Sequence, residues 1–148
     1  MQMSNFPWWN STITIYNRSE NTETQLISWK RTVLTNCFWK IHYGSGYLNS
    51  QATVAYDGVI TCRIPKNENF VDTYTWKNLD DIQKENKFTL QNDDIVIYGE
   101  VDDEIDEYTK GKRSTDLLEK YKYKGVIKIS LFVDNSDDTR NLMHYYVR

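Results

Sequence analysis

The residues best equipped for chemistry are charged and clustered. Asp102, Asp103, Glu104, Asp106 and Glu107 place five carboxylates within six positions, and Lys110, Lys112 and Arg113 reverse the sign just after. Acids at alternate positions, such as Asp102, Glu104 and Asp106, are what a calcium-binding loop begins with. The template then fails at its sixth place, which needs Gly and has Glu107, and at its twelfth, which needs an acid and has Arg113. The stretch from Asp134 fails the same way, with Thr139 and Tyr145 at those places. Three uses of the charge run stay open. It is a solvated face, a contact that orients one copy against the next, or the wall of a lumen that repels DNA.

No other constellation carries a reaction. His42 and His144 are far apart, each in an aromatic strand, and neither has a Cys or second His at metal-ligand spacing. Each reads as a half-exposed strand residue. Cys37 and Cys62 also lie in expected strands and read as buried free thiols. Gly44-Ser45-Gly46 lacks the glycine that would complete a dinucleotide loop, and no Gly-Lys-Ser/Thr phosphate loop occurs. The expectation is a protein without catalytic residues, cofactor or metal.

Composition is that of an ordinary globular chain. A chain of 148 residues with 39% hydrophobic and 26% charged residues is expected to fold as one domain with a true core. A net charge of -3 offers no overall attraction to nucleic acid. Aromatic residues reach 14%, with eleven Tyr and five Trp, which suits sheet cores and subunit contacts alike. Met1 to Pro7 lacks the charged start and apolar run of a signal peptide, and no apolar window reaches membrane-spanning length.

The elements that position these residues are strands. Alternation of period two runs through Thr12–Tyr16, around Trp29, and through Asn36–Tyr43, with Ile27, Trp29 and Val33 on one face and Cys37, Trp39 and Ile41 on another. Ala52–Tyr56 and Val59–Ile64 read as a hairpin about Asp57-Gly58, a pair that supplies the positive φ of a tight turn. Pro65 ends that strand. Further strands are expected at Phe88–Leu90, Ile95–Val101, Val126–Val133 and Leu142–Val147, with Ile127, Ile129, Leu131 and Val133 sharing a face. Ser114-Thr115-Asp116 supplies N-cap chemistry for one helix over about 115–122. A helical turn is expected near Leu79–Glu85. The fold class is mainly β, a small barrel or sandwich of about seven to nine strands with one short helix. Residues 1–11 form an N-terminal arm, and 66–87 and 102–114 are long excursions.

The opening Asn10-Ser11-Thr12-Ile13-Thr14-Ile15-Tyr16-Asn17, a loop, and the strand at Trp29 resemble the start of phage head-tail joining proteins. Phe88 to Gly99 is similar to their middle strand pair, although Asp93-Asp94 stands where they have Gly-Asp. Ile127-Lys128-Ile129 to His144-Tyr145-Tyr146-Val147 resembles their closing hairpin. Most of the chain also resembles uncharacterised proteins of phages and prophages of Gram-positive bacteria. The shared words are Arg63-Ile64-Pro65-Lys66, Gly99-Glu100-Val101-Asp102-Asp103-Glu104-Ile105 and Arg113-Ser114-Thr115-Asp116-Leu117.

The resemblance implies a head-closure, or stopper, subunit of the phage neck, made in the host cytoplasm and built into the virion. Such subunits form a ring with further copies of themselves, usually twelve, beneath the portal and adaptor. The ring offers a docking surface to the tail and lets double-stranded DNA pass without sequence-specific binding; no membrane is involved. A loop from each subunit closes the channel, and residues 102–114 are the favoured segment. Phe6, Trp8 and Trp9 precede the first strand and are expected to dock on a neighbour, together with Lys110, Lys112 and Arg113. Two other readings are a tail-completion or tail-terminator ring subunit, and a barrel that stacks single-stranded nucleic acid on Trp39, Tyr43 and Tyr56.

Overall fold

The computed structural model describes residues 7–42, 59–137 and 143–148. The described residues are mainly β and hold seven strands: β1 (Ser11–Glu20), β2 (Ile27–His42), β3 (Val59–Pro65), β4 (Ile95–Tyr98), β5 (Val126–Lys128), β6 (Phe132–Asn135) and β7 (His144–Val147). They form one antiparallel sheet in the order β5-β4-β1-β2-β3-β7-β6. Two helices, α1 (Thr73–Asn78) and α2 (Ser114–Tyr121), and a short 3-10 turn at Gln83–Asn86 complete the described elements.

Two corners explain how a single sheet encloses a core. The first is in β2, one continuous strand where alternation suggests two. Its first half pairs with β1 and its second half, from Phe38, pairs with β3. Between them Asn36 takes a φ of 58°, and the β1 register slips between Ser11 and Ile13. An extra residue of this kind bends a strand and inverts the side-chain parity beyond it. Leu34 therefore faces the main core before the bulge, and Cys37 and Trp39 face it after. Ile27, Trp29 and Val33 share a face as expected, but it is the opposite one, and Trp29 packs there on the second core rather than the main one.

The second corner is in the segment expected as one strand from Val126 to Val133. Ile129 exchanges backbone hydrogen bonds with Asp93 and Asp94 on the β4 side, at 2.9 and 2.8 Å. Leu131 exchanges them with Arg148 on the β7 side, at 3.1 and 3.2 Å. Ile127 and Ile129 are buried, whereas Leu131 and Val133 are exposed, so the expected common face does not exist. The two edge strands are separated by only three residues, which bring the sheet edges together through the chain. Among the described residues no ladder joins β5 to β6, so the described sheet does not close into a barrel.

The main core lies inside this curl. It unites Ile13, Ile15, Phe88, Leu90, Val96, Ile127 and Ile129 with Cys37, Cys62, Ile64, Tyr145 and Val147. Both cysteines are free thiols in it. A second core, outside β1 and β4, packs Tyr16, Ile95 and Ile97 against Val101 and Leu117. Five successive residues of β1, Ile13 to Asn17, are consequently buried. Such two-sided burial matches the unbroken apolar run Ile95-Val96-Ile97.

Other expectations shift in detail. Phe88–Leu90 is not a strand, but its residues are buried and Phe88 forms an isolated parallel bridge with Phe70. Helix α1 was not legible; Asp72 caps it by accepting from Thr75 N at 2.6 Å. Helix α2 starts at Ser114, with Arg113 at the N-cap and the Asp116 carboxylate reaching back to Arg113 N at 3.2 Å. The strand at Ala52–Tyr56, its Asp57-Gly58 turn, Gly44-Ser45-Gly46 and Phe6 lie outside the described residues.

Candidate functional site: an acidic cover on the outer face

The acidic run follows β4 and crosses the outer face of β1 and β2 before entering α2. Its hydrogen bonds hold it down at successive points. Thr14 Oγ1 accepts from Val101 N at 3.1 Å and donates to Gly99 O at 2.8 Å. Arg31 Nε donates to Val101 O at 2.5 Å, and its Nη2 reaches Asp102 Oδ1 at 3.2 Å. Tyr16 Oη donates to Asp103 O at 2.7 Å. Trp29 Nε1 donates to Glu107 Oε1 at 2.9 Å, and Ile27 N donates to Tyr108 Oη at 2.8 Å.

The structure thus gives most of the sequence-selected acids a task within their own chain. Asp103 takes Lys120 Nζ at 2.8 Å and the Tyr121 hydroxyl, and these hydrogen bonds hold its carboxyl below the ordinary range. Asp106 folds a tight turn by accepting from Tyr108 N and Thr109 Oγ1, at 2.9 and 2.6 Å, which lowers its pKa as well. Glu107 also accepts from Ser114 N at 3.3 Å, tying the run to the start of α2. Glu104 is exposed and forms no ion pair among the described residues. Of the basic residues, Arg113 pairs with Asp116 at 3.4 Å, while Lys110 and Lys112 are exposed. Asp102, Asp103, Glu104, Lys112, Arg113 and Lys120 surround one shallow pocket of mixed charge. Residues 102–114 are therefore a bonded cover over the second core, not a projecting loop.

The N-terminal aromatics divide. Trp8 is 63% exposed. Trp9 is 4% exposed and packs against Phe38 and His144, with ring centroids 6.1 and 5.7 Å apart. It completes its own domain, which corrects its assignment to an interface arm. The same contact buries His144, expected to be half exposed; its Nε2 lies 3.3 Å from Asn135 Nδ2. Trp39 packs on the main core and against Tyr98 at 5.5 Å, so it is not an open stacking platform; Tyr43 and Tyr56 lie outside the described residues.

Sequence reading missed three features. Asp94 is fully buried and accepts from Asn17 Nδ2, Arg18 N and Gln91 Nε2 at 2.7, 2.9 and 3.2 Å. Burial pushes its pKa up to about 7 despite those donors. Arg63 lies between the Phe38 and Tyr146 rings, its guanidinium carbon 5.2 and 5.9 Å from their centroids, in a row across β2, β3 and β7. Tyr74 and Ile82, on the 66–87 excursion, are 80% and 82% exposed. Only the last had a sequence signal, as apolar residues within a polar stretch. Among the described residues no group of three His, Cys, Asp or Glu could hold a metal ion, and no helix is long and apolar enough to cross a membrane.

Fold and surface together define a small, mainly β domain with a bonded acidic cover and scattered exposed aromatic residues. Over residues 8–148 the chain matches DUF6751, a family of unknown function, and belongs to that family. No curated protein and no solved structure matches it.

Proposed function

We propose that the protein is a ring-forming subunit of a phage neck, a head-closure or stopper component between portal-adaptor and tail. The reading starts from the resemblance of its opening, middle and closing strands to head-tail joining proteins. The observation that carries it further is the exposure of Tyr74 and Ile82 on one excursion, at 80% and 82%. Apolar side chains presented this openly suit burial against another subunit, where aromatic residues are enriched. The excursion itself is well seated: Trp76 is buried, and Phe70 stacks on Tyr145 at 4.1 Å. A firm base with an apolar tip is suited to contacts between copies, or to a constriction made by several copies.

This changes the segment assigned to channel closure. Residues 102–114 bond to β1 and β2, so Tyr74 on the 66–87 excursion is the better candidate for the inward-facing element, and Ile82 on the same excursion is left for the contact between copies. No bond is made or broken in such a role. The net charge of -3 lets DNA pass a lumen without adhering. The test is a phage with the gene deleted, complemented by wild-type protein or by a Y74S/I82S variant. Filled heads that lose DNA and lack tails are expected without the protein, and partial loss with the variant. Normal tailed, DNA-filled particles from the deletion would overturn the reading.

A further inference from the structure

A ring needs a heterologous contact, in which one patch meets a different patch on the next copy. The two patches must lie apart on the subunit and match in charge and shape. β2 supplies such a separation. Near its start, Ser28 to Arg31 stand beside Asp81, Ile82, Lys84 and Glu85 of the excursion. Near its end, Phe38 pairs with Arg63, which pairs with Tyr146. The nine steps from Trp29 to Phe38 correspond to roughly 30 Å of strand path.

The two ends are complementary. At the first, Ile82 is 82% exposed and the adjacent Asp81 forms no ion pair among the described residues. At the second, Arg63 also lacks an ion pair among the described residues. Its Nε is enclosed without an acceptor, and its guanidinium is held between two rings. A guanidinium fixed in this way loses little freedom on binding a carboxylate, and Arg with aromatic neighbours is the composition of an interface hot spot.

We propose that the Asp81-Ile82 tip of one copy docks on the Arg63-Phe38-Tyr146 row of the next, a contact that rests on the ring reading above. The Asp81 carboxylate meets the outer nitrogens of Arg63, and the Ile82 side chain covers the ring edges. Charge pairing of this type sets orientation and register, and the apolar residue adds the buried area.

Self-association is measured by light scattering and negative-stain microscopy across concentration, for wild type, R63E, D81R and an equimolar mixture of the two variants. Each variant alone is expected to associate at least tenfold more weakly. The mixture is expected to recover, since each chain then offers the other a matching partner. D81R changes an exposed residue, so its result stands even if R63E disturbs the sheet, which circular dichroism reports. Variants that associate like wild type would overturn this contact and leave the ring intact. A wild-type chain that stays monomeric at every concentration would also overturn the contact, while the neck reading is judged separately by the gene-deletion phage.

Discussion

Trp29 Nε1 donates to Glu107 Oε1 at 2.9 Å, joining the outer face of β2 to a run of acids 78 positions away. This hydrogen bond, with those of Arg31 and Tyr16, turns a charged surface loop into a cover over a second core. A half-buried hydrogen bond to a charged acceptor contributes about 1.5–3 kcal/mol. W29F keeps the ring and removes the donor; E107Q keeps an acceptor and removes the charge. Urea unfolding is expected to show a loss of about 1–2 kcal/mol for W29F and less for E107Q. In the double variant the losses should not add.

The buried Asp94 makes stability depend on pH. Its native pKa is raised to about 7, whereas the unfolded carboxyl titrates near 3.8. Between those values the native state holds the extra proton, so this contribution is complete below the unfolded pKa and is lost as pH rises through about 7. The difference in unfolding free energy between wild type and D94N should therefore shift against wild type from pH 4.5 to pH 7.5. A constant difference across that window would exclude the effect.

Gly125 has a φ of +127°, and a Cβ there would sit 3.0 Å from Trp39 Cζ2 and 3.3 Å from Tyr98 Cβ. Strain and contact act together, because neither the ring nor β4 can withdraw without opening a core. G125A is expected to cost about 1–3 kcal/mol, read as a lower denaturation midpoint. Pairing it with W39L should reduce the cost, since the substitution removes the facing ring.

Cys37 and Cys62 are both buried, and burial pushes Cys37 up to about 12 and Cys62 upward as well. The thiolate is the reactive form. A thiol reagent at pH 8 should label neither in the folded protein within minutes and both in denaturant, as counted by mass spectrometry. Rapid labelling of the native chain would contradict the packing of the main core.

Much of the strand content was legible because alternation is a local property. Ile13 and Ile15, the Ile95-Val96-Ile97 run, and the end of β3 at Pro65 follow from neighbours in sequence. The corners were not legible, because a bulge at Asn36 or a partner change at Ser130 reverses parity without leaving a break in the pattern. The acidic cluster was visible, but its partners Trp29, Arg31, Lys120 and Tyr121 are fixed only by the fold. Trp9 looked unplaced for the same reason: its contacts, Phe38 and His144, come from β2 and the last strand.

The measurement closest to the central claim is negative-stain microscopy of the purified protein mixed with portal complexes encoded in the same genome. The neck reading expects rings of the protein seated on the portal, coaxial with its channel. A chain that neither forms rings nor binds the portal would contradict it.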